Sequence, residues 1–247
     1  MNKLNAMNGD YGIDAPRVVR NLILAGIGSI IVGIVLNFFL ASAQWLIAVI
    51  LLILGLLAGA SMVAIATVMV WSSKVGKLQL REQLINSLSL RGTEMVLDVG
   101  CGRGLLLNAA ARRLATGKAI GIDLWQSADQ TGNRLETTLT NAQAEGVANR
   151  VEVMTGDMRK LPLEDKTFDV VVSSLAIHNI RDKDGRDKAV REIARVLKPN
   201  GQAALLDFRC TDQYAQTLQE LWSEVKLSGL QFQMLPPVRV VTGKKPA

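Results

Sequence analysis

A short apolar segment followed by three closely spaced glycines constrains the fold of this chain more than any other feature. Residues 95–104 have the sequence MVLDVGCGRG, in which four of the first five residues are apolar, as expected of a buried strand. Gly100, Gly102 and Gly104 follow as a tight turn, and residues 105–114 have helical composition. The pattern predicts a strand, a glycine turn and a helix, in that order.

Such a turn brings backbone N–H groups close to a ligand, because glycine accepts positive φ and carries no side chain. The start of the following helix adds unpaired N–H groups, so a nucleotide-like ligand fits there. A plain tight turn in an α/β core looks the same, and the turn alone is therefore a weak signal. The dinucleotide motif is G-x-G-x-x-G, whereas this chain has G-x-G-x-G with Asp98 two residues before the first glycine. We therefore favour another adenosine cofactor over NAD.

The N-terminal part of the chain contains two long apolar runs. Residues 22–40 and 45–71 contain no charge, and each is long enough for the roughly 20 residues that cross a bilayer core. Buried core helices and a cleaved signal peptide are the alternatives. Ala-Ser-Ala at 41–43 resembles a cleavage site, but the run before it exceeds the roughly 7 to 15 residues of a signal core. We therefore expect a transmembrane hairpin, antiparallel because only residues 41–44 join the two spans.

Charge asymmetry predicts the orientation of this hairpin. Basic residues precede the first span and follow the second, whereas the connecting turn has none. They are Lys3, Arg17, Arg20, Lys74, Lys77 and Arg81. Both ends are therefore expected in the cytoplasm, and Trp45 and Trp71 are placed at the membrane interfaces. The predicted location is a bacterial inner membrane or its equivalent, with the soluble domain cytoplasmic and the lipid bilayer as a partner.

Small residues recur every four positions in both spans. They are Ala25, Ser29 and Gly33 in the first span and Gly55 and Gly59 in the second. Such spacing lets two helix backbones pack closely, which suits the hairpin. A homo-oligomer formed through the same small-residue faces is the competing use of this pattern.

The remaining composition narrows the function classes. The formal net charge is +6, and a basic segment beside anionic lipid accounts for part of it. Without an interleaved aromatic and basic pattern, we expect no nucleic-acid partner. Two cysteines and one histidine give neither a disulfide framework nor a metal-ligand cluster, so we expect no metal and a reduced compartment.

The chain divides by composition into four parts, and the last part alternates between strand and helix patterns. The parts are an N-terminal cytoplasmic tail (1–20), the hairpin (21–71), a juxtamembrane linker with a lead-in helix (72–90) and a soluble domain (91–247). Predicted strands are 95–99, 118–123, 150–155, 168–174 and 202–208, with two short strands about Pro236 and Pro237 within 232–242. Predicted helices are 77–88, 105–114, 128–145, 186–197 and 214–227. This alternation predicts a parallel sheet covered on both faces.

Polar residues follow several of these strands. Strand two ends in Asp123, strand three is followed by Asp157, and strand four ends in Ser173, with His178 just beyond. Ligands of such sheets bind at the carboxyl ends of the strands, and an acid about twenty residues after a glycine turn is placed to bind ribose hydroxyls. Asp123 has that spacing from Gly104. Each acid alone is equally well explained as a turn or cap residue, but together they predict a ligand site.

Four segments in order resemble the motifs of class I S-adenosylmethionine-dependent methyltransferases. They are DVGCGRG at 98–104, GID at 121–123, GDM at 156–158 and LKPNG at 197–201. The likeness is greatest to the small-molecule branch that includes quinone-biosynthesis enzymes, and it covers the soluble part of the chain. It implies an α/β fold with a Rossmann-like, seven-stranded, mostly parallel sheet, here preceded by the two-helix transmembrane hairpin. Asn200 is a departure, since that branch often has glycine there, but asparagine tolerates left-handed turns.

The resemblance also implies S-adenosylmethionine as the cofactor and assigns roles to individual residues. The turn at 98–104 would hold the methionine end of the cofactor, and Asp123 would bind the ribose hydroxyls. Asp157 and the Met158 backbone would meet the adenine edge, with Leu124 and Trp125 beside the ring. The predicted cofactor-binding residues are Asp98, Gly100, Cys101, Gly102, Gly104, Asp123, Leu124, Trp125, Asp157, Met158 and Ser173.

His178 is the predicted catalytic residue. Imidazole changes its protonation near neutral pH, and this one follows strand four, on the side where an acceptor would enter. Phosphoethanolamine methyltransferases have a similar Ile/Leu-His element, which favours a general base. A histidine that only caps the next helix or fixes the loop is the alternative.

The leading hypothesis is a membrane-anchored methyltransferase for a lipophilic or amphiphilic small molecule, namely a quinol, an amino lipid or a hydrophobic thiol. A methyltransferase for proteins at the membrane surface is the rival among enzymes. A non-catalytic, cofactor-sensing membrane module is the rival of another class, but it predicts damage to the glycine turn or the acids, and the sequence shows none.

Overall fold

The computed structural model describes residues 9–125 and 133–247. Its contacts divide the chain into two compact units. One unit is Ile13–Val75, and the other joins Gly76–Ala247 to the described N-terminal residues up to Gly12.

The unit Ile13–Val75 contains two long apolar helices. Helix α1 is Pro16–Leu40, with proline in its first turn, and helix α2 is Trp45–Trp71, followed by a π-helical turn, Ser72–Gly76. Both helices are long and apolar enough to cross a membrane, by length and composition. Only 11% of the most apolar window of each helix is buried. The two helices predicted from the uncharged runs are therefore present.

The two helices pack through glycines. A Cβ on Gly59 would lie 2.6 Å from the carbonyl oxygen of Gly26, and one on Gly55 would lie 3.0 Å from Cα of Gly33. Only residues without a side chain fit at these distances, so the backbones are in direct contact. The predicted small residues in this contact are Ser29, Gly33, Gly55 and Gly59. Ala25 is exposed instead, and its neighbour Gly26 takes its place.

The second unit is built on a seven-stranded sheet with the order β3-β2-β1-β4-β5-β7-β6. Its strands are β1 Met95–Val99, β2 Lys118–Asp123, β3 Val151–Thr155, β4 Phe168–Ser174, β5 Leu197–Asp207, β6 Glu224–Leu227 and β7 Arg239–Lys244. The first five strands pair in parallel, and β7 runs antiparallel to both of its neighbours. The predicted seven-stranded, mostly parallel sheet is confirmed.

Helices cover both faces of the sheet. They are α3 Lys77–Ser87, α4 Leu105–Ala111, α5 Leu135–Ala144, α6 Lys183–Val196 and α7 Thr211–Gln219. Successive residues of β1 serve opposite faces, because side chains alternate along a strand. Val96 joins the core beneath α3, α4 and α5, whereas Leu97 joins the core beneath α6 and α7. The carboxyl ends of the parallel strands are thus left to form a site.

The prediction for the last helix was wrong at its end. Helix α7 ends at Gln219, and Glu224–Leu227, which we assigned to the helix, is strand β6. The burial of Glu224–Leu227 alternates between exposed and half-buried residues, which is the period of a strand paired along β7.

The prediction of two short strands about the proline pair was also wrong. Only Arg239–Lys244 forms a strand, and before the prolines there is a single bridge between Gln231 and Val238. Pro236 and Pro237 have no N–H group to donate to a ladder.

Other boundaries moved as well, including the end of α4, at Ala111 rather than residue 114, and the start of α7, at Thr211 rather than residue 214. Helix α6 starts at Lys183 rather than residue 186, because the Asp182 carboxylate caps it by accepting the Gly185 N–H at 2.6 Å. Strand β5 begins at Leu197, five residues before its predicted start at 202. The predicted helix 128–145 begins outside the described residues, and its described part is helical over Leu135–Ala144.

Candidate active site

The glycine turn joins β1 to α4. Gly100, Gly102 and Gly104 have φ values of 72°, 51° and 82°, all in the left-handed region that favours glycine. A Cβ on Gly100 would lie 2.2 Å from Cβ of Ala176, in the loop after β4. The turn therefore depends on glycine for its backbone angles and for its contact with the β4 loop.

Asp98 is a buried carboxylate beside this turn. Its side chain is 2% exposed, and Oδ2 accepts the N–H of Leu107 at 2.9 Å. Its Oδ1 has no hydrogen-bond partner among the described residues. Burial raises the pKa of Asp98 to about 7, and the nearby charge of Asp123 adds to that effect. A cationic group placed at Oδ1 would relieve this cost.

Asp123 ties the end of β2 to the glycine turn. Its Oδ2 accepts the Gly102 N–H at 2.9 Å, and its Oδ1 accepts the Trp125 N–H at 2.7 Å and the amide of Asn133 at 3.2 Å. A carboxylate oxygen can accept two hydrogen bonds, so Oδ2 keeps capacity for one hydroxyl donor. The structure thus brings the predicted ribose-binding acid and the predicted methionine-binding turn together.

The predicted adenine-site residues that follow β2 and β3 differ in exposure and in hydrogen-bond partners. Leu124 is 42% exposed, and the Trp125 indole N–H donates to the Thr155 hydroxyl at 2.8 Å. The Asp157 carboxylate is held by Arg159, whose Nη2 lies 2.6 Å from Oδ2. This guanidinium lowers the pKa of Asp157 and keeps it charged. Arg159 engages the predicted adenine acid, and the sequence analysis did not anticipate it.

Met158 lies against the glycine turn, because a Cβ on Gly100 would be 3.2 Å from its Cε. The buried Cys101 side chain packs against β2, since a Cβ on Gly121 would lie 2.8 Å from its Sγ. Burial raises the pKa of the Cys101 thiol, so it stays protonated. Its predicted contribution is limited to its backbone.

Ser173 is buried inside the sheet. Its hydroxyl donates to the Val99 carbonyl at 2.7 Å, joining the ends of β4 and β1 just before the turn. The structure therefore places Ser173 behind the predicted cofactor turn, where it supports the last residue of β1.

His178 lies in a 3₁₀ turn, Ile177–Asn179, after β4. Its Nδ1 is 2.8 Å from Oδ1 of Asp207, the last residue of β5. Nδ1 has no hydrogen-bond partner of acceptable geometry among the described residues, so the pair is a close contact and not an ideal hydrogen bond. The imidazole also packs edge-on against Phe208, with ring centroids 4.6 Å apart.

Asp207 is fixed on its other sides. It is 1% exposed, Oδ1 accepts the Phe208 N–H at 2.8 Å, and Oδ2 accepts the Tyr214 hydroxyl at 3.1 Å. Burial and the Asp207 charge raise the pKa of Tyr214, which therefore stays a donor. With Nδ1 held towards Asp207, Nε2 is the nitrogen left for a substrate.

Asp207 is a site residue that the sequence analysis missed. A usable signal was present, because Asp207 lies next to the end of predicted strand five (202–208), much as Asp123 ends strand two, and we considered only the ends of the first four strands. The predicted cofactor residues lie at the carboxyl ends of β1, β2 and β3, while His178 follows β4 and Asp207 ends β5. The switch in strand order lies between β1 and β4, where ligands of such sheets bind.

The described residues fit S-adenosylmethionine. The unpartnered Oδ1 of Asp98 suits the cationic amino group, and the glycine turn leaves room for the methionine portion. Asp123 suits the ribose diol. No group of three or more metal-ligating side chains occurs within residues 9–125 and 133–247.

Comparison with known proteins agrees with this assignment. Residues 97–205 match a family model described as a methyltransferase domain. The 2-phytyl-1,4-naphtoquinone methyltransferase of Trichormus variabilis is 32% identical over 142 residues, covering 57% of this chain and 58% of that protein. The ubiquinone/menaquinone biosynthesis C-methyltransferase UbiE of Hydrogenovibrio crunogenus is 35% identical over 129 residues, covering 52% and 47%. The chain spans about half the length of the curated relatives it matches.

The fold also occurs in solved structures. Geranyl diphosphate methyltransferase in complex with SAM is similar with a TM-score of 0.54, over 68% of this chain and 85% of that chain. At 13% identity, this likeness shows the fold alone. The matched domain, the quinone methyltransferase relatives and the fitting glycine turn and acids give one conclusion. Residues 97–205 form a domain of the class I S-adenosylmethionine-dependent methyltransferase type, and S-adenosylmethionine is the cofactor that its site residues fit.

Proposed function

We propose that this protein transfers a methyl group from S-adenosylmethionine to a lipophilic quinol, at the cytoplasmic face of a membrane that its N-terminal hairpin spans. The observation that carries the proposal is the His178–Asp207 pair at the carboxyl ends of β4 and β5, beside the cofactor turn. Quinone methyltransferases among the relatives support the acceptor class.

The pair supplies a base for an acceptor with a weakly acidic hydroxyl. When bound, S-adenosylmethionine supplies the electrophilic methyl group. His178 takes the hydroxyl proton of the quinol at Nε2, and this makes the aromatic acceptor electron-rich. Asp207 stabilises the imidazolium that forms, because its carboxylate lies 2.8 Å from Nδ1 and is itself held in place. Asp207 therefore acts as a positioning residue and His178 as the catalytic residue.

The apolar helices support anchoring in the bilayer. Helices α1 and α2 bury only 11% of their most apolar windows, unlike the core helices of a soluble domain. Trp45 and Trp71 are 68% and 48% exposed at the two ends of α2, where indole rings favour the membrane interface. An anchored domain meets a bilayer-dissolved quinol at far higher local concentration than a free one.

The experiment reconstitutes the full chain in phosphatidylcholine vesicles with methyl-labelled S-adenosylmethionine and three acceptors. These are a 2-phytyl-1,4-naphthoquinol, phosphatidylethanolamine and a mixed membrane-protein fraction. We expect label in the naphthoquinol, and less transfer to a naphthoquinol without the phytyl tail. Label confined to the amino lipid or to proteins would overturn the acceptor assignment. No transfer despite cofactor binding would favour a non-catalytic module.

A further inference from the structure

The loop between β6 and β7 exposes apolar side chains. Residues 228–238 have the sequence SGLQFQMLPPV and contain no charged residue. Leu230 is 51% exposed and Phe232 is 73% exposed. The exposure of Phe232 is the highest of any large apolar side chain in the described part of residues 76–247, which we call the soluble unit. Contiguous exposed apolar side chains mark interaction sites with proteins or membranes, and this loop presents two of them two residues apart.

This loop lies at the edge of the sheet that carries the active site. Strand β7 pairs antiparallel with β5, so Arg239 at its start is opposite Asp207 at the end of β5. Strand β6 ends at Leu227, opposite Val241. The segment joining β6 to β7 therefore leaves the sheet beside the residue that holds His178.

The loop is fixed to the start of helix α3. Met234 is 5% exposed and packs in the core with Leu80 and Leu84 of α3. The Gln233 amide donates to Gln83 at 3.3 Å. A Cβ on Gly76 would lie 1.7 Å from the Gln233 carbonyl oxygen, so the two backbones touch.

The residue that the loop backbone contacts follows α2 closely in sequence. Gly76 follows Trp71 by five residues, which span at most about 18 Å even when fully extended. If α2 crosses a bilayer as proposed, Gly76 and the loop backbone beside it lie close to its cytoplasmic surface. Exposed leucine and phenylalanine side chains that lie this close to a bilayer favour insertion at the boundary between its headgroups and acyl chains.

We infer that residues 228–238 form a membrane-docking loop, with Leu230 and Phe232 inserted in the cytoplasmic leaflet of the bilayer. The inference rests on the proposed anchoring by α1 and α2. Docking of the loop would also turn the carboxyl ends of β4 and β5, with His178 and Asp207, towards the lipid. A lipophilic acceptor then reaches the site from the bilayer without crossing water.

The test uses the full chain with Phe232→Cys, in a Cys210→Ser background in which the remaining Cys101 is buried. The matched control is Leu221→Cys, which is 39% exposed before β6, at the opposite edge of the sheet. Both are labelled with bimane and reconstituted in vesicles of phosphatidylcholine and phosphatidylglycerol that contain lipids with a spin label high on the acyl chain. We expect strong quenching and a blue shift at position 232 and neither at 221.

Two contrary results are distinguishable. Vesicles that float with the protein but leave position 232 unquenched would overturn the docking loop alone. Protein that does not float with vesicles would overturn both the anchor and the loop. A Leu230→Ser/Phe232→Ser variant gives a second readout, since we expect it to float and bind S-adenosylmethionine normally while its apparent KM for the phytyl naphthoquinol in vesicles rises several-fold. An unchanged KM for that acceptor would also contradict the inference.

Discussion

Nδ1 of His178 lies 2.8 Å from Oδ1 of Asp207, and this contact joins the loop after β4 to the end of β5. The same loop touches the glycine turn, because Ala176 would meet a Cβ on Gly100. The proposed base, His178, is therefore only two residues along the loop from Ala176, which contacts the glycine turn.

The first prediction concerns Asp207. Asp207→Asn keeps the shape of the side chain but removes the charge that stabilises an imidazolium, so kcat should fall by roughly 10² to 10⁴. The affinity for S-adenosylmethionine, measured by calorimetry, should stay within about twofold. Tyr214→Phe, which removes one hydrogen bond to Asp207, serves as the milder variant. Full activity in both variants would reduce the pair to a structural contact.

The second prediction concerns the stability of the cofactor-free protein and Asp98. Burial raises the pKa of Asp98 to about 7 from an ordinary value of 3.8, so the folded state keeps this proton where the unfolded state has lost it. The contribution of Asp98 to the free energy of unfolding should therefore decline as pH rises from about 4 to about 7 and then level off, by a few kcal/mol at most.

Asp98→Asn removes this titration. Carboxylates with lowered pKa values, such as Asp157 and Asp187, contribute stability that both proteins lose as pH falls. The difference in the free energy of unfolding between wild type and variant therefore reports on Asp98 alone. In urea unfolding of the full chain in detergent, the free energy of unfolding of the variant should rise relative to that of the wild type between about pH 4 and pH 7. A difference that does not change with pH would contradict the burial of an unpaired carboxylate.

The third prediction distinguishes two effects of adding a side chain to the glycine turn, the steric clash with Ala176 and the strain of a positive φ. Gly100→Ala meets both a φ of 72° and Ala176, whereas Gly146→Ala meets a φ of 69° with open space around it. Gly146→Ala should cost about 1 to 2 kcal/mol of stability and bind cofactor normally. Gly100→Ala should lose S-adenosylmethionine binding in calorimetry. Equal binding by both variants would show that the turn does not shape the pocket.

The fourth prediction concerns topology. A Ser42→Cys side chain in the turn between α1 and α2 should react with a membrane-impermeant maleimide added to intact cells. Ser223→Cys, exposed in the soluble unit, should react only after permeabilisation. The reverse pattern would place the soluble unit outside and overturn the predicted orientation.

Much of the fold was predictable because local signals and burial agreed. Strand β1, the turn through Gly104 and helix α2 follow the predicted bounds, since apolar runs and glycines mark their ends without ambiguity. Asn200 has a φ of 64°, as expected for a residue replacing glycine in a left-handed turn. Strand β6 was missed because it has only four residues, which alternate between exposed and half-buried, and we assigned them to the preceding helix.

The site was less predictable, because side-chain partners come from distant strands. Nothing local to His178 indicates Asp207, and the pairing follows only from the neighbouring order of β4 and β5. In the same way, Asp157 looked free in sequence, but Arg159 two residues later folds back on it. Ser173 was placed at the right strand end, although its hydroxyl turns inward to Val99.

The most direct test of the account is a pH–rate profile of the full chain in vesicles, with the phytyl naphthoquinol as acceptor, for wild type and His178→Ala. If His178 removes the acceptor proton, the wild-type rate should fall on the acidic side of the profile, because a protonated imidazole cannot accept a proton. His178→Ala should be slower by roughly 10² to 10⁴ at neutral pH and should lose that acidic limb, while still binding S-adenosylmethionine. Equal rates for the two proteins, with the same pH dependence, would contradict the proposed base.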